Sequence, residues 1–481
     1  MIQKLIKFHI LVIAAIVARY YLPELFTNLF FIILIGFYAR SKDEPFWLAF
    51  FFLIEDGFFS FFGLNEVLLT VIPGLPAVQF GQFYILLTLV KALRAEPVYK
   101  PFYSLQLNIL FIYLIFLILQ GYAVGLSTAL NIQFRVLKLV LPLFLFFSLP
   151  RLMTREEQYR EFFIYLIPAV FLTLLAQVIT ITTGLAPGHF LGANLDVEFA
   201  RKATEERAYR GFYNPQLVII AQFLALFYLA YKPKKINHNL LFAIVLSNLL
   251  AIFLSATRGW LIGFSITLSL FFLFTFSLGT KRILSLIGIS LILIVSMLTM
   301  PLIRVQVNNA IERMMTLEAV VEGDLTAEGT LKRLDERAPR VMNKWRESPL
   351  TGIGFSNDFF NYGDLHVGNQ NILLHSGIVG ALLLLIFFLH FLHKIYRKSR
   401  SLSAEHPQKK VLLVFIVFFI GWFFIHSTSV QHFSYYQYPA NGIIQAVFFS
   451  LGSLIYHIAQ KAERKPKPAL EDRQPVQHLV N

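Results

Sequence analysis

Long apolar stretches make up most of the chain, and short polar stretches rich in Lys and Arg separate them. A helix needs roughly 17–25 predominantly apolar residues to cross the hydrocarbon core of a bilayer. The pattern predicts fourteen such helices, near residues 5–22, 24–39, 46–63, 77–94, 104–123, 132–149, 162–183, 215–231, 239–256, 259–278, 283–303, 369–393, 410–428 and 437–459. We therefore expect an all-α polytopic membrane protein with about 12–14 transmembrane helices.

The composition agrees with this fold class. Of the 481 residues, 57% are hydrophobic and 15% are charged, whereas a soluble chain carries about 25% charged residues. Soluble multidomain and disordered classes are thereby excluded. The absence of Cys excludes a thiolate metal site and a Cys nucleophile.

The net charge of +14 is distributed unevenly over the predicted loops. If the N-terminus is inside, the inner loops and both termini carry 26 bases and 10 acids, and the rest of the chain carries 16 bases and 18 acids. Because Lys and Arg accumulate in cytoplasmic loops, we expect both termini in the cytoplasm. The basic balance is then a sidedness signal and does not indicate nucleic acid.

Two long segments, 184–214 and 304–368, fall on the outer, periplasmic side. They divide the chain into membrane helices at 1–183, 215–303 and 369–460, followed by a tail at 461–481 that we expect to be disordered. The pattern in 304–368 predicts two helices, at 305–322 and 327–347, the second ending at Ser348-Pro349. A large helical periplasmic loop is therefore expected.

Arginines at outer boundaries are the first candidates for chemistry. Arg210 and Arg258 each stand at a predicted membrane boundary, where an arginine also serves as an interfacial anchor. Several arginines together would bind a diphosphate, because the guanidinium fork pairs with phosphate oxygens. Arg333, Arg337 and Arg340 extend this set, although segment 304–368 holds 8 bases and 10 acids, so most of its bases are expected to be paired.

Other polar positions carry two interpretations each. His366, just before a predicted span, is either a loop histidine without a role or a proton acceptor for a hydroxyl. Arg135 and Lys138 share a helix face near an outer end and either anchor the helix or contact lipid phosphate. Glu55-Asp56 interrupt a Phe-rich span, as either a functional site or a broken helix. No Asp-x-Asp or HExxH pattern occurs, so no metal site and no cofactor is expected.

The order of the outer motifs resembles the O-antigen ligase/polymerase superfamily of bacterial envelope glycosyltransferases. The motifs are RGFYNP at 210–215, SATRG at 255–259, a large outer loop with an Arg, PLTGIG at 349–354, and a His eleven residues before GIVG at 377–380. The resemblance covers about residues 205–385 in its motifs and only the topology elsewhere.

The resemblance assigns roles residue by residue. The family's His corresponds to His366, although the usual neighbouring Asn is Val367 here. Asn369 and Asn371 lie further along. The family's boundary arginines correspond to Arg210 and Arg258. The loop arginine corresponds best to Arg333, with Arg337 and Arg340 as competitors.

The resemblance implies a GT-C-like fold and a metal-independent inverting transfer. A glycan on undecaprenyl diphosphate would pass to an acceptor hydroxyl, of lipid A-core or another glycan, at the outer face of the inner membrane. Ligase and polymerase share this site and differ in acceptor. A transporter or flippase of an anionic or lipid-linked solute is the rival, and it predicts polar residues near the bilayer midplane on several helices.

Overall fold

The computed structural model describes residues 2–55, 67–69, 76–183, 185–191, 213–233, 236–275, 304–308, 310–312, 314–315, 336–426 and 432–464. Within these ranges the chain is predominantly helical. The α-helices are α1 (Ile2–Tyr21), α2 (Glu24–Arg40), α3 (Glu44–Glu55), α4 (Phe80–Arg94), α5 (Ser104–Val124), α6 (Leu130–Val140), α7 (Leu145–Leu152), α8 (Glu156–Thr183), α9 (Pro215–Tyr231), α10 (His238–Leu254), α11 (Arg258–Phe274), α12 (Ala338–Trp345), α13 (Asn357–Tyr362), α14 (Gly368–Ser401), α15 (Pro407–Phe418) and α16 (Pro439–Arg464).

Shorter elements connect these helices. Single 3₁₀ turns occupy Leu141–Phe144, Pro187–Leu191 and Leu365–Val367, and a π-helical stretch, Phe419–Phe424, extends α15. A two-residue antiparallel hairpin pairs β1 (Leu68–Leu69) with β2 (Val78–Gln79).

In the part of the chain that the structure describes, six helical segments are long and apolar enough to cross a membrane. They are Ser104–Val124, Leu130–Leu152, Glu156–Thr183, Gly368–Ser401, Pro407–Phe424 and Pro439–Glu463. Three further apolar helices, α9, α10 and α11, are shorter at 17 residues each. The architecture is consistent with the expected all-α polytopic membrane protein. The predicted span at 283–303 lies outside the described residues.

The bundle is centred on α9. Every residue from Leu217 to Ala230 is buried, which is typical of a helix surrounded by other helices. Aromatic rings fill the space around it: the ring of Phe223 lies 5.1 Å from those of Phe418 and Phe448. By contrast, α5 buries only one side, since 33% of the residues in its most apolar stretch are buried. Its uncovered side is compatible with contact to lipid.

Two hydrogen bonds of backbone N–H groups join parts of the bundle that are distant in the sequence. Residues 432–437 are all buried although they form no helix, and the backbone N–H of Gln437 donates to the carbonyl of Leu139 at 2.8 Å. Helix α3 ends at Glu55, whose carboxylate accepts the backbone N–H of Gly81 at 2.7 Å. Asp56, the other half of the acidic pair noted in the sequence, lies outside the described residues.

Segment 304–368, which the charge distribution predicts to be on the outer side, is described in part. Positions 304–308, 310–312 and 314–315 are helical, as predicted for 305–322. Gln306 donates to the carbonyl of Leu254 at 2.7 Å, which ties this helix to the end of α10. Of the second predicted helix, 327–347, residues 327–335 lie outside the described residues, and α12 covers the later part and ends at Trp345, three residues before Ser348.

Candidate functional site: an arginine- and histidine-lined cavity beside a broken helix

Helix α14, which begins directly after the 3₁₀ turn Leu365–Val367, contains a break. Gly377 has φ 61° and ψ −171°, a backbone conformation that is essentially restricted to glycine. The break interrupts the i→i−4 ladder, so nearby backbone groups need other partners. This is the GIVG motif of the sequence.

The loop 349–354 supplies those partners. The N–H groups of Ile353 and Gly354 donate to the carbonyls of Leu374 and His375 at 2.9 and 3.0 Å. In the opposite direction, the N–H groups of Ile378 and Val379 donate to the carbonyls of Pro349 and Leu350, both at 3.0 Å. The PLTGIG and GIVG motifs therefore form one hydrogen-bonded unit (residues 349–354 and 374–379), which we call the outer splice after the side on which the sequence predicts this segment.

Two loop glycines allow this close approach. Gly352 and Gly354 have positive φ of 70° and 59°. A Cβ on Gly352 would lie 2.5 Å from the carbonyl carbon of His375, and one on Gly354 would lie 2.5 Å from the carbonyl oxygen of Leu117. Helix α5 also holds the loop directly, because the side-chain amide of Gln120 donates to Thr351 Oγ1 at 2.9 Å. The glycine turn that the sequence indicates at 349–354 therefore packs against α5 and α14.

Helices α12 and α13 and the outer splice together form a unit that we call the outer module (residues 338–379). Ser356 caps α13 by accepting the N–H of Phe359. The side-chain oxygen of Asn357 accepts the N–H of Ser127 at 3.1 Å. The guanidinium of Arg135 lies over the ring of Phe360, 4.4 Å from its centroid. The loop before α6 and α6 itself thus support the module from one side.

A cavity of about 570 Å³ opens between α12 and the start of α14. Its lining residues are Glu336, Arg337, Arg340, Asp364 and His366. Both guanidiniums converge on one carboxylate: Arg340 Nη2 lies 3.2 Å from Asp364 Oδ2, and Arg337 Nη1 lies 3.7 Å from Asp364 Oδ1. The arginine side chains are 41% and 50% exposed, so an incoming ligand has access to them.

Asp364 also fixes the backbone that carries His366. Its Oδ1 accepts the N–H of His366 at 2.9 Å, which caps the 3₁₀ turn. The N–H of Asp364 itself donates to Asn371 Oδ1 at 3.2 Å. The imidazole of His366 is exposed. One acidic residue therefore positions two cations and the histidine of the cavity.

Asn371 connects the cavity to a buried polar network. Its side-chain amide contacts the hydroxyl of Tyr436. Its carbonyl is 2.7 Å from His375 Nδ1, whose Nε2 is 2.9 Å from Ser434 Oγ. Asn371 is 1% exposed, so its role is to support the turn that carries His366. Asn369, by contrast, is exposed at the start of α14.

The remaining bases of α12 are satisfied locally. Lys344 Nζ lies 2.6 Å from Asp358 and 2.7 Å from Glu347. The hydrogen bonds to these two carboxylates raise the pKa of Lys344. Arg346 donates to Asn343 at 3.0 Å. Among the described bases of segment 304–368, Lys344 is therefore paired with acids as expected, and Arg337 and Arg340 line the cavity.

Arg258 occupies a separate environment. It is the first residue of α11, is 6% exposed, and follows a turn in which Ala256 has φ 51°. Two residues further on, Trp260 lies against His426, with ring centroids 5.5 Å apart. Arg258 is not among the residues that line the His366 cavity.

The other predicted residues fall into two groups. Arg210 and Arg333 lie outside the described residues. Of the residues that follow Arg210, Asn214 is described: its side chain donates to Thr173 Oγ1 at 2.9 Å, and Pro215 opens α9. Arg135 and Lys138 lie on α6, and Arg135 contacts Phe360 of the outer module as given above.

Sequence reasoning missed Asp364. An Asp two residues before a candidate histidine is a signal in itself, because Asp accepts the backbone N–H two residues on in turns.

Comparison of the chain with protein-family models, with curated proteins and with solved structures found no match.

Proposed function

We propose that the protein is a membrane glycosyltransferase that moves a glycan from undecaprenyl diphosphate to an acceptor hydroxyl. The observation that carries the proposal is the single cavity into which Arg337, Arg340 and His366 converge around Asp364. The motif order described under Sequence analysis supplies the reaction class.

The arginine pair suits a diphosphate. Two guanidiniums that converge on one carboxylate have the positions required to bind phosphate oxygens, because both anions accept the planar fork in the same way. In the transfer they would stabilise the negative charge that develops on the leaving diphosphate. The resemblance adds Arg258, Arg210 and Arg333 to this role.

His366 suits the acceptor. It would take the proton of the acceptor hydroxyl as that oxygen attacks the anomeric carbon. The new C–O bond forms as the bond from the anomeric carbon to the diphosphate oxygen breaks. The electron pair leaves with undecaprenyl diphosphate, and the configuration at the anomeric carbon inverts. Asp364 would hold the turn that aims the imidazole.

The position of the cavity suits a lipid-linked donor. It lies next to the first turns of α14, a helix long and apolar enough to cross the bilayer. A diphosphate at the membrane surface would therefore reach the arginines while its polyprenyl chain stays in lipid. Lipid A-core, a second lipid-linked glycan or another glycan hydroxyl would serve as acceptor.

The test is a transfer assay with the purified full-length chain in liposomes. We expect release of undecaprenyl diphosphate in equal amount to the glycosylated acceptor, and we expect this activity to persist in EDTA. Strict dependence on Mg²⁺ would argue against charge stabilisation by arginine.

The same liposomes distinguish the rival function. Movement of the lipid-linked glycan between leaflets, with neither product formed for a lipid A-core or a lipid-linked acceptor, would replace the proposal with a transporter. Product with only one of the two acceptors would separate ligase from polymerase.

A further inference from the structure

A second charged cavity lies where α2 ends and α8 begins. Its volume is about 480 Å³, and its lining residues are Lys4, Ser41, Lys42, Asp43, Pro45, Arg155, Gln158 and Glu161. They come from α1, from the turn between α2 and α3 with the start of α3, and from the α7–α8 turn with the start of α8. The charge distribution of the loops places this end on the cytoplasmic side.

The cations of this cavity are unequally paired. Lys4 Nζ lies 2.9 Å from Asp43 Oδ2 and 3.9 Å from Glu161 Oε2, so one base is shared by two acids. Lys42 and Arg155 are exposed, and among the described residues neither has a carboxylate within 4 Å. Two cations therefore remain available to an anionic ligand.

The two turns that present these cations are ordered by side-chain hydrogen bonds. Gln158 Oε1 accepts the N–H groups of Thr154 and Arg155 at 2.8 and 3.1 Å. Ser41 Oγ accepts the N–H of Asp43 at 3.1 Å, and the carbonyl of Ser41 accepts Lys91 Nζ at 2.8 Å. The backbone of the cavity is thus fixed before any ligand binds.

An apolar surface leads from the cavity along α2. Four large side chains spaced by four residues share one face and are uncovered: Leu25, Leu29, Ile33 and Phe37, at 74%, 51%, 47% and 58% exposure. Phe37 stands one helical turn before Ser41. On α1, which begins beside the cavity at Lys4, Ile6 and Ile10 are 54% and 60% exposed.

We propose that this inner cavity binds the phosphate of an anionic phospholipid, with the acyl chains along the exposed faces of α1 and α2. A phosphate ligand matches the two unpaired cations, which would bind its oxygens. A lipid source, as opposed to free phosphate, matches the apolar surface that ends at the cavity. The inference does not depend on the proposed transfer reaction.

The experiment compares lipid retention and thermal stability of the full-length chain in detergent. Added phosphatidylglycerol should raise the unfolding temperature, and phosphatidylcholine and inorganic phosphate should not. In the double variant Lys42→Gln/Arg155→Gln the affinity for phosphatidylglycerol should fall about 30-fold, because each surface cation contributes about fivefold.

The matched control is Arg94→Gln/Lys100→Gln, which removes two exposed cations that the charge distribution places on the same side, outside the cavity. This control should bind phosphatidylglycerol as the unmodified chain does. Equal loss in both variants would overturn the proposal, since it would reduce the effect to overall charge. Equal stabilisation by inorganic phosphate would overturn the lipid source, and equal stabilisation by phosphatidylcholine would overturn the role of the anionic charge.

Discussion

The two charged cavities use similar side chains in opposite ratios. In the outer cavity two arginines share one carboxylate, Asp364. In the inner cavity one lysine, Lys4, is shared by two carboxylates, while Lys42 and Arg155 stand apart. The ion pairs inside each cavity therefore decide which cations are available to a ligand. A ligand in the outer cavity must compete with Asp364, whereas one in the inner cavity finds two cations without an internal anion.

The two cavities also differ in their support. The inner one lies at the ends of regular helices, joined by short capped turns. The outer one rests on a helix break and a loop that exchange four backbone hydrogen bonds. Chemistry needs positions held more closely than binding does, and near His366 the hydrogen bonds from the His366 N–H to Asp364 and from the Asp364 N–H to Asn371 supply that rigidity.

Breaking the outer splice should have the largest effect. In Gly377→Ala the new Cβ would contact the carbonyl oxygen of Leu350 and the N–H of Gly352, in a conformation that costs about 1–3 kcal/mol even without a clash. We expect a loss of more than about 3 kcal/mol in unfolding free energy and no detectable transfer. Thermal unfolding in detergent, with the transfer assay, measures both.

The control for this variant is Gly36→Ala in α2, where a Cβ would have no atom within 4 Å. It should unfold at or slightly above the temperature of the unmodified chain, because Ala favours a helix interior by about 0.5–1 kcal/mol over Gly, and both variants should keep the affinity of the inner cavity for phosphatidylglycerol. If Gly377→Ala unfolds at the temperature of the control, the splice does not carry the outer module.

Removing the histidine should have the next largest effect. In His366→Ala the proposed proton acceptor is lost while the cap from Asp364 to the backbone N–H remains possible, so the fold should persist. We expect the transfer rate to fall about 10²–10⁴-fold. The matched variant is His393→Ala, an exposed histidine further along α14. Equal rates in the two variants would remove His366 from the mechanism.

Neutralising the arginine pair should have the smallest of the three effects, because the remaining proposed arginines would still act. Arg337→Gln/Arg340→Gln should lower the transfer rate about 100-fold. Lysines at both positions should restore only part of it, since a point charge lacks the bidentate fork. Arg346→Gln, which removes an exposed arginine outside the cavity, serves as the comparison. A full rate with lysine would show that charge alone is sufficient.

Helix positions followed closely from the sequence. The predicted span at 215–231 coincides with α9, because Pro215 stands at the first helical position and fixes where the helix starts. The span at 132–149 became α6, a 3₁₀ turn at Pro142 and α7, since apolar length alone does not reveal a local change of helix type. The thickness of the bilayer sets the length of a spanning helix, and this explains why that length can be predicted from the sequence.

The cavity was less predictable from the chain. Arg337, Arg340 and His366 were candidates on their residue types, but their common partner Asp364 was not, because 24 and 27 residues separate the carboxylate from the arginines in the sequence. The glycines of 349–354 indicated a turn. The backbone hydrogen bonds between this turn and the neighbours of Gly377 join segments that are distant in the sequence. No local pattern encodes such pairing.

The break at Gly377 bears on how the chain enters the membrane. Four backbone groups of α14 depend on residues 349–354, and each group left unpaired in hydrocarbon costs several kcal/mol. Since synthesis runs from the N-terminus, the loop is made before the helix that needs it. The order of translation thus provides a partner in advance, and a permuted chain with this loop placed after α14 would have to insert the helix with its backbone uncovered.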